Sequence, residues 1–333
     1  MTLSCPACGH ALAPGEGALS CGGCGRSFPL VAGVPDIRLG YADPYVTLEE
    51  DVARARTLGS RIEELDFAGL VREHWRMSGT RPELAERFLA GDVGAAGRAE
   101  HYLAEIERAR GRALGPGDSF LEVGCGTAAL ATAAAARGAS AVAADVSMRW
   151  CVLARKRLAE AGLEDVEIVC CDAEEPPFAP GSFDVVAASD VIEHVASQDA
   201  FVVGCRHVLV EGGLLFLATP NRFSLGLEPH VRLWGVGFLP RPLARRYVQA
   251  LRRTRYDHVR LLSARSLRRL LAANGLEATI VPPEIPAATQ RLYGGLELRL
   301  VRAYNRLRSA GPLRRVLLAV GPFFHVFARK GAR

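Results

Sequence analysis

The feature that most narrows the fold is an alternation that begins at Gly117. "SFLEVGC" reads as a buried strand running into the glycine turn "GCGTAAL", followed by an alanine-rich helix that ends at Gly138. "AVAADV" is a second strand, with "RWCVLARKRLAEAG" as its helix. "VEIVCCD", "SFDVVAASDV" and "GLLFLATP" are the third, fourth and fifth strands. Strands that alternate with helices build a parallel sheet through right-handed crossovers. Ligands of such sheets bind beyond the carboxyl ends of the strands. A later helix, "SARSLRRLLAANGL", a strand from Leu276 to Val281 and a closing strand "FFHVFARK" complete the pattern. The expectation is an α/β, Rossmann-like, mostly parallel seven-stranded sheet with helices on both faces, over residues 113–333.

Two further segments precede it. "CPACGH" and "CGGCGRSF" place Cys5, Cys8, Cys21 and Cys24 as two CxxC pairs with twelve residues between them. Each CxxC turn aims two thiolates at one point, and two such turns complete a tetrahedral sulfur shell at about 2.3 Å from a zinc ion. Four protein ligands close the site, so the metal would fold the segment and do no chemistry. His10 is a spare ligand. With "CGRSFPLVAGVPDIRL" after the second pair, residues 1–40 resemble the small zinc-ribbon domain that activates tRNA and protein methyltransferases as a separate subunit. The other five cysteines sit in apolar or glycine-rich surroundings and are expected to behave as small buried hydrophobes. Residues 41–112 carry apolar residues three and four apart and read as a helical lead-in or lid, broken at "AGDVGAAGRA".

Composition is that of an ordinary globular protein, 49% apolar and 23% charged. The 13-residue run Val316 to Ala328 is too short to span a bilayer, and the first residues lack a charged-then-apolar leader. A cytoplasmic location is expected. The net charge of +5 conceals an asymmetry: residues 222–333 hold 22 basic and 5 acidic residues. Either an anionic partner or solvated arginine-rich helix faces would explain that split.

Three features of the alternating region bear on a cofactor. "EVGCGTA" turns on Gly124 and Gly126, Asp145 ends the second strand, and Asp172 ends the third before "AEEPPFAPGSFDVV". A dinucleotide fingerprint needs a third glycine to admit a pyrophosphate, and its slot holds Ala129. Glu122 beside the turn would repel phosphates but not a sulfonium. Here the chain resembles the class I S-adenosylmethionine-dependent methyltransferases. The resemblance implies that Glu122, Gly124, Cys125 and Gly126 line the methionine end and that Asp145, with Val146, meets the ribose hydroxyls. Asp172 and Ala173 would meet the adenine, and Ser189 would close the cofactor site. Ala128 departs from the family, which often carries glycine there.

"SDVIEHV" follows the fourth strand. Ser189 or Asp190 as a helix cap, repaid by Glu193, would explain the acid spacing without chemistry. With "ATPNR" after strand five, however, the stretch resembles the ubiquinone-biosynthesis O-methyltransferases and the small-RNA 3′-terminal 2′-O-methyltransferases. Those groups associate the acid, the Glu and the His with a divalent metal. In the RNA group a later histidine joins them, and "RYDHVR" offers His258. Asp190, Glu193, His194 and His258 would thus hold Mg²⁺, Mn²⁺ or Zn²⁺, with His230 a rival ligand. Alternatively Glu193, His194 and His258 are catalytic without metal.

Residues 222–262 form an insertion rich in Pro, aromatics and Arg. Trp234, Phe238 and Tyr247 either line an acceptor site or pack the insertion onto the sheet. The C-terminal basic helices, 285–320, suit either a membrane surface or a solvated cover. The leading expectation is O-methylation of a hydroxyl on a small molecule, glycan or lipid-linked intermediate. RNA methylation, and a non-catalytic cofactor-binding partner protein, are the alternatives.

Overall fold

The computed structural model describes residues 2–40, 46–286, 290, 294–308 and 310–331. A four-stranded antiparallel ribbon comes first: β1 Leu12–Gly15, β2 Ala18–Cys21, β3 Ser27–Val31 and β4 Val34–Pro35. Its apolar side does not stand apart. Cys5, Leu12, Phe28 and Ile37 are buried in one cluster with Val142 and Val169 of the large sheet and Phe178 of a loop beside it. Main-chain bonds stitch the two together: Ser4 N–H donates to Pro177 O, and Ile37 N–H donates to Cys170 O, both at 2.8 Å.

Four helices follow: α1 Leu48–Ser60, α2 Phe67–Met77, α3 Pro82–Val93 and α4 Ala95–Arg110. Thr47 and Asp66 cap α1 and α2 by accepting from Glu50 N–H and Gly69 N–H, which satisfies donors the helix itself cannot. Only Gly94 separates α3 from α4. The break read in the sequence is therefore a one-residue joint.

The large sheet contains β5 Ser119–Val123, β6 Ser140–Asp145, β7 Glu167–Cys170, β8 Phe183–Ser189, β9 Leu209–Pro220, β10 Leu276–Val281 and β11 Phe323–Lys330. Its order is β10-β11-β9-β8-β5-β6-β7, with β11 antiparallel to both neighbours and the other pairings parallel. This is the seven-stranded, mostly parallel sheet expected from the alternation. Helices α5 Ala129–Ala135, α6 Met148–Glu160 and α7 Gln198–Val208 provide the crossovers. Helices α8 Arg241–Arg252 and α9 Ala264–Ala273 come after β9, and α10 Gly295–Leu307 and α11 Gly311–Val320 precede β11. Among the described residues no helix is long and apolar enough to cross a membrane. Residues 287–289 and 291–293 of the expected C-terminal basic region lie outside the described ones.

The turn after β5 carries strain. Ala128, fully buried, opens α5 in the left-handed region at φ 54°. That conformation costs about 1–2 kcal/mol for a residue with a Cβ. A glycine would relieve it but would lose a buried methyl, worth about 0.8 kcal/mol, and would add about 0.5–1 kcal/mol of chain entropy. The two sides nearly cancel, so alanine is tolerated.

Candidate active site

The carboxyl ends of β5, β6, β7 and β8 open into a cavity of about 240 Å³. Of the residues the sequence assigned to a cofactor, Gly124, Gly126, Asp145, Val146, Asp172 and Ala173 line it. Asp145 is fixed by two main-chain donors: Gly126 N–H reaches Oδ2 and Ser147 N–H reaches Oδ1, each at 2.8 Å. Gly124 sits at φ 63°, and a Cβ there would lie 2.3 Å from Val191 Cγ2. This position needs glycine for its conformation and for the close approach of Val191.

Glu122, Cys125 and Ser189 are not on that wall. Glu122 turns away and accepts from Ala131 N–H at 2.7 Å, bracing the first turn of α5. Burial pushes its carboxyl up to about 8. Sequence reasoning missed Ser147, Arg149, Trp150, Glu174 and Val191, which do line the cavity. Most of them flank the acids singled out, so a window of a few residues around each strand end would have found them. Arg149 is held by Asp51, its Nη1 donating to Oδ1 at 2.8 Å. Asp145, Asp172, Glu174 and Asp190 outnumber that one guanidinium. The cavity therefore suits a cation and disfavours a phosphate.

Asp51 belongs to α1 and is completely buried. It accepts from Met148 N–H at 2.9 Å and from Arg38 Nη1 at 2.8 Å. Arg38, just past the ribbon, also donates from Nη1 to Val146 O at 2.8 Å and chelates Asp36 through Nε and Nη2. The ribbon's exit segment is thus bonded directly to the loop after β6 that walls the cavity.

The segment after β8 does not start a helix. Asp190 takes φ 57°, its N–H donating to Ala218 O, and α7 begins only at Gln198, capped by Ser197. Neither Ser189 nor Asp190 is a helix cap, and the capping-box reading of Glu193 is replaced by another arrangement. Glu193 is fully buried; its Oε2 accepts from Thr219 Oγ1 at 3.0 Å, while Oε1 has no hydrogen-bond partner among the described residues. Burial and the nearby Asp190 push its carboxyl up to about 8. His194 lines the cavity, and its Nε2 lies 3.1 Å from Nε2 of His230. His230 Nδ1 in turn lies 2.5 Å from Glu228 Oε1. Burial alone would lower His230, but the Glu228 hydrogen bond and charge outweigh it and hold the imidazole above its usual range.

Metal-ligating atoms of Glu193, His194 and His230 all fall within 4.8 Å of one another. Asp190 and His258, which the sequence grouped with Glu193 and His194, are not in that cluster; His258 lies nearly parallel to His194 with ring centroids 6.2 Å apart. The "EPH" spacing of Glu228 and His230 was the available signal for the rival ligand.

At the N-terminus the sulfur atoms of Cys5, Cys8, Cys21 and Cys24 also lie within 4.8 Å of one another, with Cys5–Cys24 at 3.7 Å and Cys8–Cys21 at 3.3 Å. A tetrahedral shell at about 2.3 Å requires edges of about 3.8 Å, so the cluster fits one zinc ion. His10 is not part of it; Nδ1 lies 3.4 Å from Cys8 O.

Residues 121–217 match the methyltransferase domain family, and residues 2–33 match the Trm112p-like protein family. The chain joins a Trm112p-like zinc ribbon to a class I methyltransferase domain. A ubiquinone biosynthesis O-methyltransferase of Parvibaculum lavamentivorans is 42% identical over 103 residues, 31% of this chain and 40% of that one. Another, of Thiobacillus denitrificans, is 31% identical over 163 residues, 48% of this chain and 65% of its own. The chain thus spans less than two thirds of these relatives. Haemonchus contortus phosphoethanolamine N-methyltransferase 2, in complex with S-adenosyl-L-methionine, is 20% identical with a TM-score of 0.47. That match covers 69% of this chain and 52% of the other.

Proposed function

We propose that this class I methyltransferase domain transfers the methyl group of S-adenosylmethionine to a hydroxyl oxygen of its acceptor. The observation that carries the reading is the placement of His194. It lies on the wall of the cofactor cavity and within hydrogen-bond distance of a second imidazole that Glu228 orients. The two relatives reported above are named as O-methyltransferases.

The cavity fits the cofactor by its chemistry. Asp145 ends β6 on its wall, Trp150, Val146 and Val191 offer apolar faces, and the surplus of carboxylates favours a sulfonium. The bound cofactor supplies an electrophilic methyl carbon on that sulfonium. What the chain must do is hold an acceptor oxygen in line with the departing sulfur, which can lower the barrier by about 7–11 kcal/mol. An alcohol of high pKa also needs its proton removed, and a placed base contributes about 10²–10⁴-fold. His194 is that base. His230 Nε2 faces its Nε2, so the proton taken from the acceptor has a second imidazole and then a carboxylate within reach.

The two imidazoles, together with Glu193, also fit a divalent ion. Two imidazole nitrogens 3.1 Å apart match neighbouring ligands of one metal at about 2.1 Å, and Glu193 Oε1 is a buried oxygen with no hydrogen-bond partner among the described residues. Glu193, His194 and His230 would hold such an ion, which would acidify the acceptor hydroxyl.

Titration with S-adenosylhomocysteine, followed by transfer of labelled methyl groups to a panel of phenols, alcohols and RNA, tests the reading. Binding plus transfer to a hydroxyl acceptor, lost in His194→Gln, is expected. No binding of S-adenosylhomocysteine, or transfer that survives in His194→Gln, overturns it.

A further inference from the structure

The insertion between β9 and α9 contains a second cavity, of about 270 Å³, that the chemistry above does not use. Arg222, Arg241 and Arg260 line it, together with Gln198, Tyr256 and apolar residues that include Val236 and Leu239. Among the described residues no carboxylate lines it. Each guanidinium donates once to a main-chain oxygen: Arg222 Nε to Gly237 O at 3.0 Å, Arg241 Nη2 to Asp257 O at 2.8 Å, and Arg260 Nη1 to Ala196 O. These bonds fix the side chains and leave most of their five N–H donors without a protein acceptor among the described residues. None of the three forms an ion pair with a carboxylate among the described residues, although Asp257 nearby is paired with Arg245 and Arg255.

Three guanidiniums gathered around one cavity, with Asp257 nearby shared with Arg245 and Arg255, repel one another. Burial, and then Arg260 and Arg245, hold Arg241 below its ordinary range. Such a cluster is stabilised by a ligand that brings negative charge and several acceptor oxygens. One planar carboxylate is satisfied by one guanidinium fork, whereas a phosphate presents oxygens in several directions.

The cavity is also tied to the catalytic segment. Arg260 N–H donates to Glu193 O at 2.8 Å, and Gln198 Nε2 donates to both Ile192 O and Arg260 O, at 2.9 and 2.7 Å. The main chain that carries His194 to the cofactor cavity is therefore bonded on its other side to residues of the arginine cavity. We propose that Arg222, Arg241 and Arg260 form an anion subsite that holds a phosphate or pyrophosphate group of the acceptor, so that the substrate is a phosphorylated hydroxyl compound. The assignment of that anion to the acceptor rests on the methyltransferase reading; the anion site itself does not. The phosphate can belong to a soluble compound or to a lipid headgroup, and exposed Trp234, Phe238 and Leu243 of the same insertion are compatible with the latter.

The test is calorimetric titration of the full chain with inorganic pyrophosphate at moderate salt, with and without S-adenosylhomocysteine. The variants are Arg241→Gln/Arg260→Gln and a control pair, Arg302→Gln/Arg306→Gln, from exposed positions of α10. A charge-assisted bond is worth about 1.5–3 kcal/mol, so affinity in the cavity pair is expected to fall about tenfold or more. The control pair is expected to keep the wild-type value, and saturating S-adenosylhomocysteine is expected to leave pyrophosphate binding intact. Equal affinity in both variants, or displacement of pyrophosphate by S-adenosylhomocysteine, overturns the subsite. Sedimentation with phosphatidylcholine vesicles containing phosphatidic acid separates the sources. Dependence on the cavity arginines there marks a lipid phosphate, and dependence only with soluble pyrophosphate marks a soluble one. Should S-adenosylhomocysteine fail to bind while the arginine dependence holds, the anion site stands and the methyltransferase reading falls.

Discussion

His194 Nε2 and His230 Nε2 meet at 3.1 Å across 36 residues of sequence. The contact is closed from outside the site: Arg222 N–H bonds Leu262 O at the two ends of the insertion, which brings the "EPH" turn back over the segment after β8. Glu228, buried and bonded to His230, then sets which way the second imidazole faces.

The first expectation concerns that pair. Glu228→Gln keeps the shape but removes the charge that orients His230. Methyl transfer is expected to fall about 10²–10⁴-fold, the range a placed base contributes, while S-adenosylhomocysteine binds with unchanged affinity because neither residue lines that cavity. Calorimetry beside a transfer assay reads both. An equal loss in binding and turnover would show instead that the insertion supports the cofactor wall.

The divalent-ion possibility has its own readout. If Glu193, His194 and His230 hold an ion, isothermal titration with Mn²⁺ or Zn²⁺ shows a site beyond the four cysteines, and Glu193→Gln abolishes it. If the two imidazoles share only a proton, no such second site titrates and transfer is indifferent to chelator.

Stability against pH follows from Glu122. Its carboxyl, pushed up to about 8 by burial, binds its proton more tightly folded than unfolded, where carboxylates titrate near 4.3. Between those values the folded state holds more protons, so stability falls as pH rises from about 4.5 to 8 and levels off above. Glu122→Gln keeps an acceptor for Ala131 N–H and removes the ionisation. Melting curves from pH 5 to 9 are expected to flatten in the variant relative to wild type. A parallel slope in both would assign the pH dependence elsewhere.

Much of this was legible because it is local. The strand, glycine turn and acid recur within a few residues of each other, so the sheet and the places of Gly124, Asp145 and Asp172 follow from short windows. The four thiolates were legible for the same reason. Glu122 is different: two residues before Gly124, it faces the helix rather than the cavity, and only the packing of α5 decides that. The partner of His194 was set by how a long insertion closes, which no periodicity encodes; the sequence favoured His258, and the structure brings His230 to the imidazole. Asp190 and Glu193 looked like a helix entry by spacing, but Asp190 adopts a left-handed turn that postpones the helix to Gln198.

Gly124 offers a sharp test of the cavity wall. A methyl group there would meet Val191 Cγ2 at 2.3 Å in a backbone region that disfavours any side chain. Gly124→Ala is expected to lower both melting temperature and affinity for S-adenosylhomocysteine. Gly124→Ala/Val191→Ala removes the clash but not the backbone strain, so only part of each loss is expected to return. Full recovery would mean that sterics alone account for the glycine.

The ribbon's tie to the cavity can be cut at one side chain. Arg38 is nearly fully buried, chelates Asp36, and donates to both Asp51 and Val146 O. Asp51 holds Met148 N–H and the Arg149 guanidinium on the cavity side. Removing one partner of a buried ion pair costs about 3–5 kcal/mol because the other charge is left uncompensated. Arg38→Met is therefore expected to lower the melting temperature and to weaken S-adenosylhomocysteine binding. Arg38→Met/Asp36→Asn is expected to regain stability but not affinity, because Val146 O still lacks its donor. Zinc content, expected at about one ion for the cysteine cluster, is predicted to stay unchanged in both variants, since no cysteine contacts are altered. If affinity is unchanged in Arg38→Met while stability falls, the ribbon supports the fold without shaping the cofactor site.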